Sequence, residues 1–124
     1  MRLQDQKVLV LVDDIHLGHL LCDVIGMYRI GHPELSMSEL DACQMMESQQ
    51  YDICILDSRL RGQSCDQAVT IANAKSIPVV MLTDTDGAPE LQVRPLRGRM
   101  VQKPAGEEDI RSALEELLGT EPAP

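Results

Sequence analysis

The chain has 124 residues, 44% hydrophobic and 25% charged, with a net charge of −9. That is the length of one domain able to bury a sizeable core, in the composition range of globular proteins. The acid excess excludes non-specific attraction to nucleic-acid phosphates, and no apolar stretch is long enough to span a bilayer.

Residues 7 to 12, "KVLVLV", form a short Val-rich run that suits a strand buried on both faces. Over residues 15 to 29, Ile15, Leu17, Leu20, Leu21, Val24 and Ile25 make a helical stripe that Gly31 and Pro33 then punctuate. "ELSM" reads as a short second strand. Ser38, with Asp41 three residues on, marks a helix start before "LDACQMMESQ", whose Met45 and Met46 fill an aliphatic core that has no Phe or Trp. "YDICIL" is a third strand, "CDQAVTIANAK" a helix, and "IPVVML" a fourth strand opened by proline. Residues 84 to 99 carry Gly87, Pro89, Pro95 and Gly98, so at most a short helix from Pro89 to Val93 fits there. "RMVQ" is a short fifth strand, and a last helix runs from about Glu107 to Leu118 with acids in its first turn. Alternating strands and helices with short connections predict parallel strands and right-handed crossovers: an α/β sandwich of five βα units. Cys22, Cys43, Cys54 and Cys65 are spaced for neither a disulfide framework nor a zinc site, and Cys54 reads as a small core hydrophobe.

Ligands of such sheets bind outside the carboxyl ends of the strands. Those ends carry Asp13 and Asp14, Asp57, Thr83, and Lys103-Pro104. An aspartate closing a strand is by itself an ordinary turn residue. Three carboxylates converging on one edge are another matter, because they repel one another unless a cation is present. Oxygen ligands in a half-open shell suit Mg²⁺, and beside it one carboxylate can attack phosphorus while metal and ammonium stabilise the charge in transfer.

The stretches "VLVLVDD", "YDICILDSRLRG", "IPVVMLTD" and "VQKP", in this order over nearly the whole chain, resemble the response regulator receiver domain of two-component signalling. The resemblance implies a flavodoxin-like (βα)5 three-layer sandwich, its parallel five-stranded sheet in the order 2-1-3-4-5. Residues 7–119 would be the receiver domain, with tails at 1–6 and 120–124, the latter disordered. Asp57 would be the phosphoacceptor. Asp14 would bind Mg²⁺ directly, Asp13 would act through water or position the ion, and Arg59 would offer its backbone carbonyl. Thr83 would bind the phosphoryl group, Lys103 would pair with the phosphoryl oxygens or with Asp57, and the Lys103-Pro104 peptide would be cis. The phosphodonor would be a sensor histidine kinase or a histidine phosphotransfer protein. Output would come by contact with an unknown downstream protein, or the chain would act as a phosphate sink, cytoplasmic and as a monomer or weak dimer. No outside substrate would be turned over, and neither nucleic acid nor membrane would be a partner.

Two switch positions depart from the pattern. Met100 stands where receivers usually carry Tyr or Phe, and Asp84 where a small residue follows the threonine. The first weakens the usual aromatic–threonine coupling, and the second narrows access and adds charge beside the phosphoryl group. They support an alternative, a phosphorylation-independent interaction module of receiver fold. The shortened fourth helix and the Arg-rich turn before the last strand are similar to a set of stand-alone bacterial receivers. A haloacid-dehalogenase-like phosphatase needs an acid two residues after its nucleophile, where this chain has Arg59. No G-x-G-x-x-G follows the first strand to hold a nucleotide. His16 and His19 lie one turn apart without a third ligand, which leaves them a solvated or packed role, or a place on the kinase-docking surface. Arg94, Arg97 and Arg99 read as a solvated turn.

Overall fold

In the computed structural model, residues 6–60, 63–83, 95–102 and 106–118 are described, with the backbone alone at 59–60 and 63–64. The chain runs β1 (Lys7–Leu11), α1 (Ile15–Met27), β2 (His32–Ser36), α2 (Glu39–Ser48), β3 (Ile53–Asp57), β4 (Arg59–Leu60), β5 (Gln63–Ser64), α3 (Asp66–Ala74), β6 (Val79–Thr83), β7 (Gly98–Gln102) and α4 (Glu107–Leu117). β2, β1, β3, β6 and β7 lie side by side in that order, every pair parallel. Counted along this sheet alone, the order is 2-1-3-4-5, the flavodoxin-like arrangement expected.

Continuous apolar strands belong between two helical layers, because alternate residues must find cover on opposite faces. Leu9, Leu11, Cys54, Leu56, Val79 and Met81 point to one face and pack with Ala42, Met46, Ala68, Val69 and Ala72 of α2 and α3. Val8, Val10, Ile53, Ile55, Val80 and Leu82 take the other face, under Leu21, Val24 and Ile25 of α1 and Ile110, Ala113 and Leu114 of α4. Cys54 is indeed a core thiol, 3.8 Å from the sulfur of Met46.

Local chemistry sets the helix ends. Ser38 caps α2 by accepting from the Asp41 N–H at 3.1 Å, as its spacing predicts. Asp109 accepts from the Gly106 N–H at 3.3 Å at the start of α4. α1 stops at Met27, two residues before the predicted end. Arg29 turns left-handed (φ 55°), and the Ile30 N–H reaches back to the Ile25 carbonyl at 2.9 Å. α3 ends the same way through Ser76 (φ 58°), with the Ile77 N–H on the Ala72 carbonyl at 2.8 Å.

The second strand begins at His32 rather than Glu34, since an edge strand tolerates Pro33. The antiparallel ribbon β4–β5 was not anticipated: two-residue strands carry too little pattern to be read. Arg97 and Arg99 do more than sit in a solvated turn. Arg97 donates to the Leu117 carbonyl at 3.5 Å and Arg99 pairs with Glu116, two cations at the C-terminal end of α4 where the helix dipole favours them. The predicted short helix from Pro89 to Val93 lies outside the described residues. Among the described residues, no helix is long and apolar enough to cross a membrane.

Candidate functional site

β3 is the central strand, and Asp57 is its last residue. Pairing of Leu11 with Leu56 on one side and of Asp57 with Leu82 on the other brings the ends of β1, β3 and β6 to one edge. There Asp57 is only 1% exposed and Thr83 7%. A carboxylate and a hydroxyl this enclosed need polar company, since burying them alone is costly. Neither Asp57 nor Asp13 is without a partner.

Beyond β1 the chain leaves the sheet through Asp13, half-buried, and Asp14, exposed. Asp14 has extended backbone (φ −107°, ψ 113°) and is the N-cap of α1. One carboxylate oxygen, Oδ1, accepts from the N–H groups of His16 at 2.9 Å and Leu17 at 3.2 Å. Asp14 therefore has a structural task as well as a candidate chemical one, and Oδ2 is its oxygen outside the cap.

After Asp57 the chain turns at Ser58, itself buried, whose N–H donates to the Leu82 carbonyl at 2.9 Å. The ribbon follows, with Arg59 opposite Ser64 and Leu60 opposite Gln63, so the backbone at 59 is held directly beyond the acid. Gln102 pairs with Thr83, so β7 ends at the same edge. Lys103, Pro104 and its peptide, and Asp84 lie outside the described residues. Met100 is 42% exposed and lines a groove of about 470 Å³ with Gln102, Glu108, Asp109 and Ser112.

The carboxylates at 13, 14 and 57, with backbone carbonyls, are hard oxygen donors of the kind Mg²⁺ takes. Among the described residues, no three His, Cys, Asp or Glu side chains are grouped tightly enough to enclose a metal. His16 and His19 are both exposed on α1 and join no such group.

Sequence reading gave no role at the site to Cys65 or Glu39. Cys65, at the start of α3, is fully buried; burial pushes its thiol up to about 12, and the charges of Glu39, Asp57 and Asp66 push the same way. Glu39, from α2, accepts from the Ala68 N–H of α3 at 3.0 Å. No signal along the chain joins Glu39 to Ala68, because their contact exists only once both helices lie on one face of the sheet.

No family model matches the sequence, and no curated protein matches it. Solved structures do match the fold. The receiver domain of a sensor histidine kinase from Pseudomonas aeruginosa, described with magnesium coordinated in its active site cleft, superposes with a TM-score of 0.80 at 19% identity, covering 93% of this chain and 98% of that one. A chemotaxis response regulator of Vibrio cholerae gives 0.75 at 20% identity over 90% of this chain and 98% of that one. A response regulator receiver protein from Sinorhizobium medicae gives 0.75 at 17% identity, over 94% and 96%. The chain has the fold of response regulator receiver domains.

Proposed function

We propose that this receiver-fold chain is a phosphorylation-controlled signalling switch, with Asp57 as the phosphoacceptor. The observation that carries the reading is a carboxylate 1% exposed at the carboxyl end of the central strand, between the acid-bearing end of β1 and the buried Thr83 of β6. The histidine-kinase and response-regulator origins of the similar structures favour a sensor kinase or a histidine phosphotransfer protein as donor.

In this mechanism an Asp57 oxygen forms the new bond to phosphorus while the donor's phosphorus–nitrogen bond breaks and its electron pair leaves with the imidazole. Enclosure of Asp57 keeps competing water away from the acyl phosphate. The Thr83 hydroxyl donates to a phosphoryl oxygen, and Lys103 balances the added charge. Asp13, Asp14, Asp57 and the carbonyl of Arg59 would hold Mg²⁺, whose charge opposes that of the phosphoryl oxygens. Output then follows by protein contact, or the chain drains phosphate from a relay.

A second reading, a receiver-fold module that works without phosphate, is favoured by the absence of a closed three-acid group among the described residues and by the exposed Met100. One experiment separates them. Acetyl phosphate and Mg²⁺ should add the mass of one phosphoryl group to the intact chain and not to Asp57→Ala. An unmodified wild-type chain would leave the second reading standing.

A further inference from the structure

α3 starts without a cap of its own. Its N-cap residue, Cys65, makes no side-chain cap hydrogen bond. The Ala68 N–H, one of the donors that a serine or aspartate there would satisfy, is held instead by Glu39 Oε2, 3.0 Å away on α2. Glu39 lies in the first turn of α2, so one carboxylate serves the positive ends of two helices at once. Between Asp57 and α3 the described residues are Ser58, the paired strands β4 and β5, and Cys65. The near end of these paired strands is fixed by the Ser58 bond to Leu82, the far end by Glu39 on α3. Cys65 sits fully buried at that far end, and its thiol responds to the charges of both Glu39 and Asp57.

We infer that Glu39 is a positioning residue for the Asp57 site: by capping α3 from α2 it fixes the helix that follows β5, the strand paired with the backbone of residue 59. The inference rests on the proposed phosphoacceptor role of Asp57, because only then does the placement of that backbone matter to chemistry. Outer residues that hold a metal-facing group in place typically change affinity by tenfold or more when removed.

The test compares the wild type with Glu39→Ala, Glu39→Gln and Glu39→Asp, in Mg²⁺ binding, in phosphoryl uptake from acetyl phosphate and in hydrogen exchange at the Ala68 amide. Glu39→Ala should lose protection at Ala68 and show Mg²⁺ affinity and uptake rate lowered by about tenfold. Glu39→Gln keeps an acceptor oxygen at the same reach and should stay within about twofold of wild type on the same scale. Glu39→Asp keeps the charge and the first turn of α2 but is one methylene short, so it should resemble Glu39→Ala and serves if that variant does not fold. Variants lacking the cap that bind Mg²⁺ and take up phosphate as the wild type does would overturn the inference, as would a Glu39→Gln no better than Glu39→Ala. A wild type that neither binds Mg²⁺ nor accepts phosphate would instead overturn the phosphoacceptor reading on which it rests.

Discussion

Replacing both Arg29 and Ser76 with glycine should make the protein more stable. Each residue follows a helix and closes it in the left-handed region, at φ 55° and 58°. An L-residue with a Cβ pays about 1–2 kcal/mol for that conformation. Glycine avoids the clash but gives up roughly 0.5–1 kcal/mol of extra chain entropy on folding. The difference is a gain of about 0.5–1 kcal/mol per site. α1 and α3 lie on opposite faces of the sheet, so the two gains should add to about 1–2 kcal/mol. For a chain of 124 residues the entropy of unfolding converts this to a rise in Tm of about 4–8 °C. Thermal unfolding followed by circular dichroism reads it directly, with Ser76→Ala as a control that removes the side chain yet keeps the strain and should not gain. Gly26→Ala is the complementary case: nothing lies within 4 Å of the added Cβ, and the last turn of α1 gains up to about 1 kcal/mol. A double glycine variant that unfolds cooperatively at or below the wild-type temperature would refute the reasoning.

Gly31→Ala should destabilise by about 1–3 kcal/mol, because the new Cβ would stand 2.5 Å from the backbone oxygen of Gln6; a urea midpoint no lower than wild type would contradict it. Burial raises Cys54 and Cys65 from 9.0 to about 12, so the unfolded chain gives up their protons first as the solution turns alkaline. Their stabilising effect is complete below about pH 9 and is lost as the pH climbs toward 12, which Cys54→Val should partly flatten in urea titrations across that window. Asp84→Ala should speed phosphorylation by a small phosphodonor, since it removes a negative charge next to Thr83 in the chain; an unchanged rate would contradict it.

Strand-end chemistry was readable along the chain because each feature is local. An apolar run that stops at Asp57 announces both the strand and the acid closing it, and parallel topology then sends every such end to one edge. Ser38 announced its own helix for the same reason. The ribbon after Asp57 was invisible, since two residues per strand hold no periodicity. So were the left-handed helix ends, where Arg29 and Ser76 occupy positions that normally advertise themselves through glycine.

The amino-acid order by itself determined the alternation of elements, the aliphatic core and the acids and hydroxyl at the strand ends, because these depend on neighbours along the chain. Only the tertiary structure decided that Glu39 caps α3, that Arg97 and Arg99 hold the end of α4, and that one Asp14 oxygen is committed to capping α1. The first two are made between elements that only the folded sheet brings together, and the last turns on a backbone angle that residue identity leaves open.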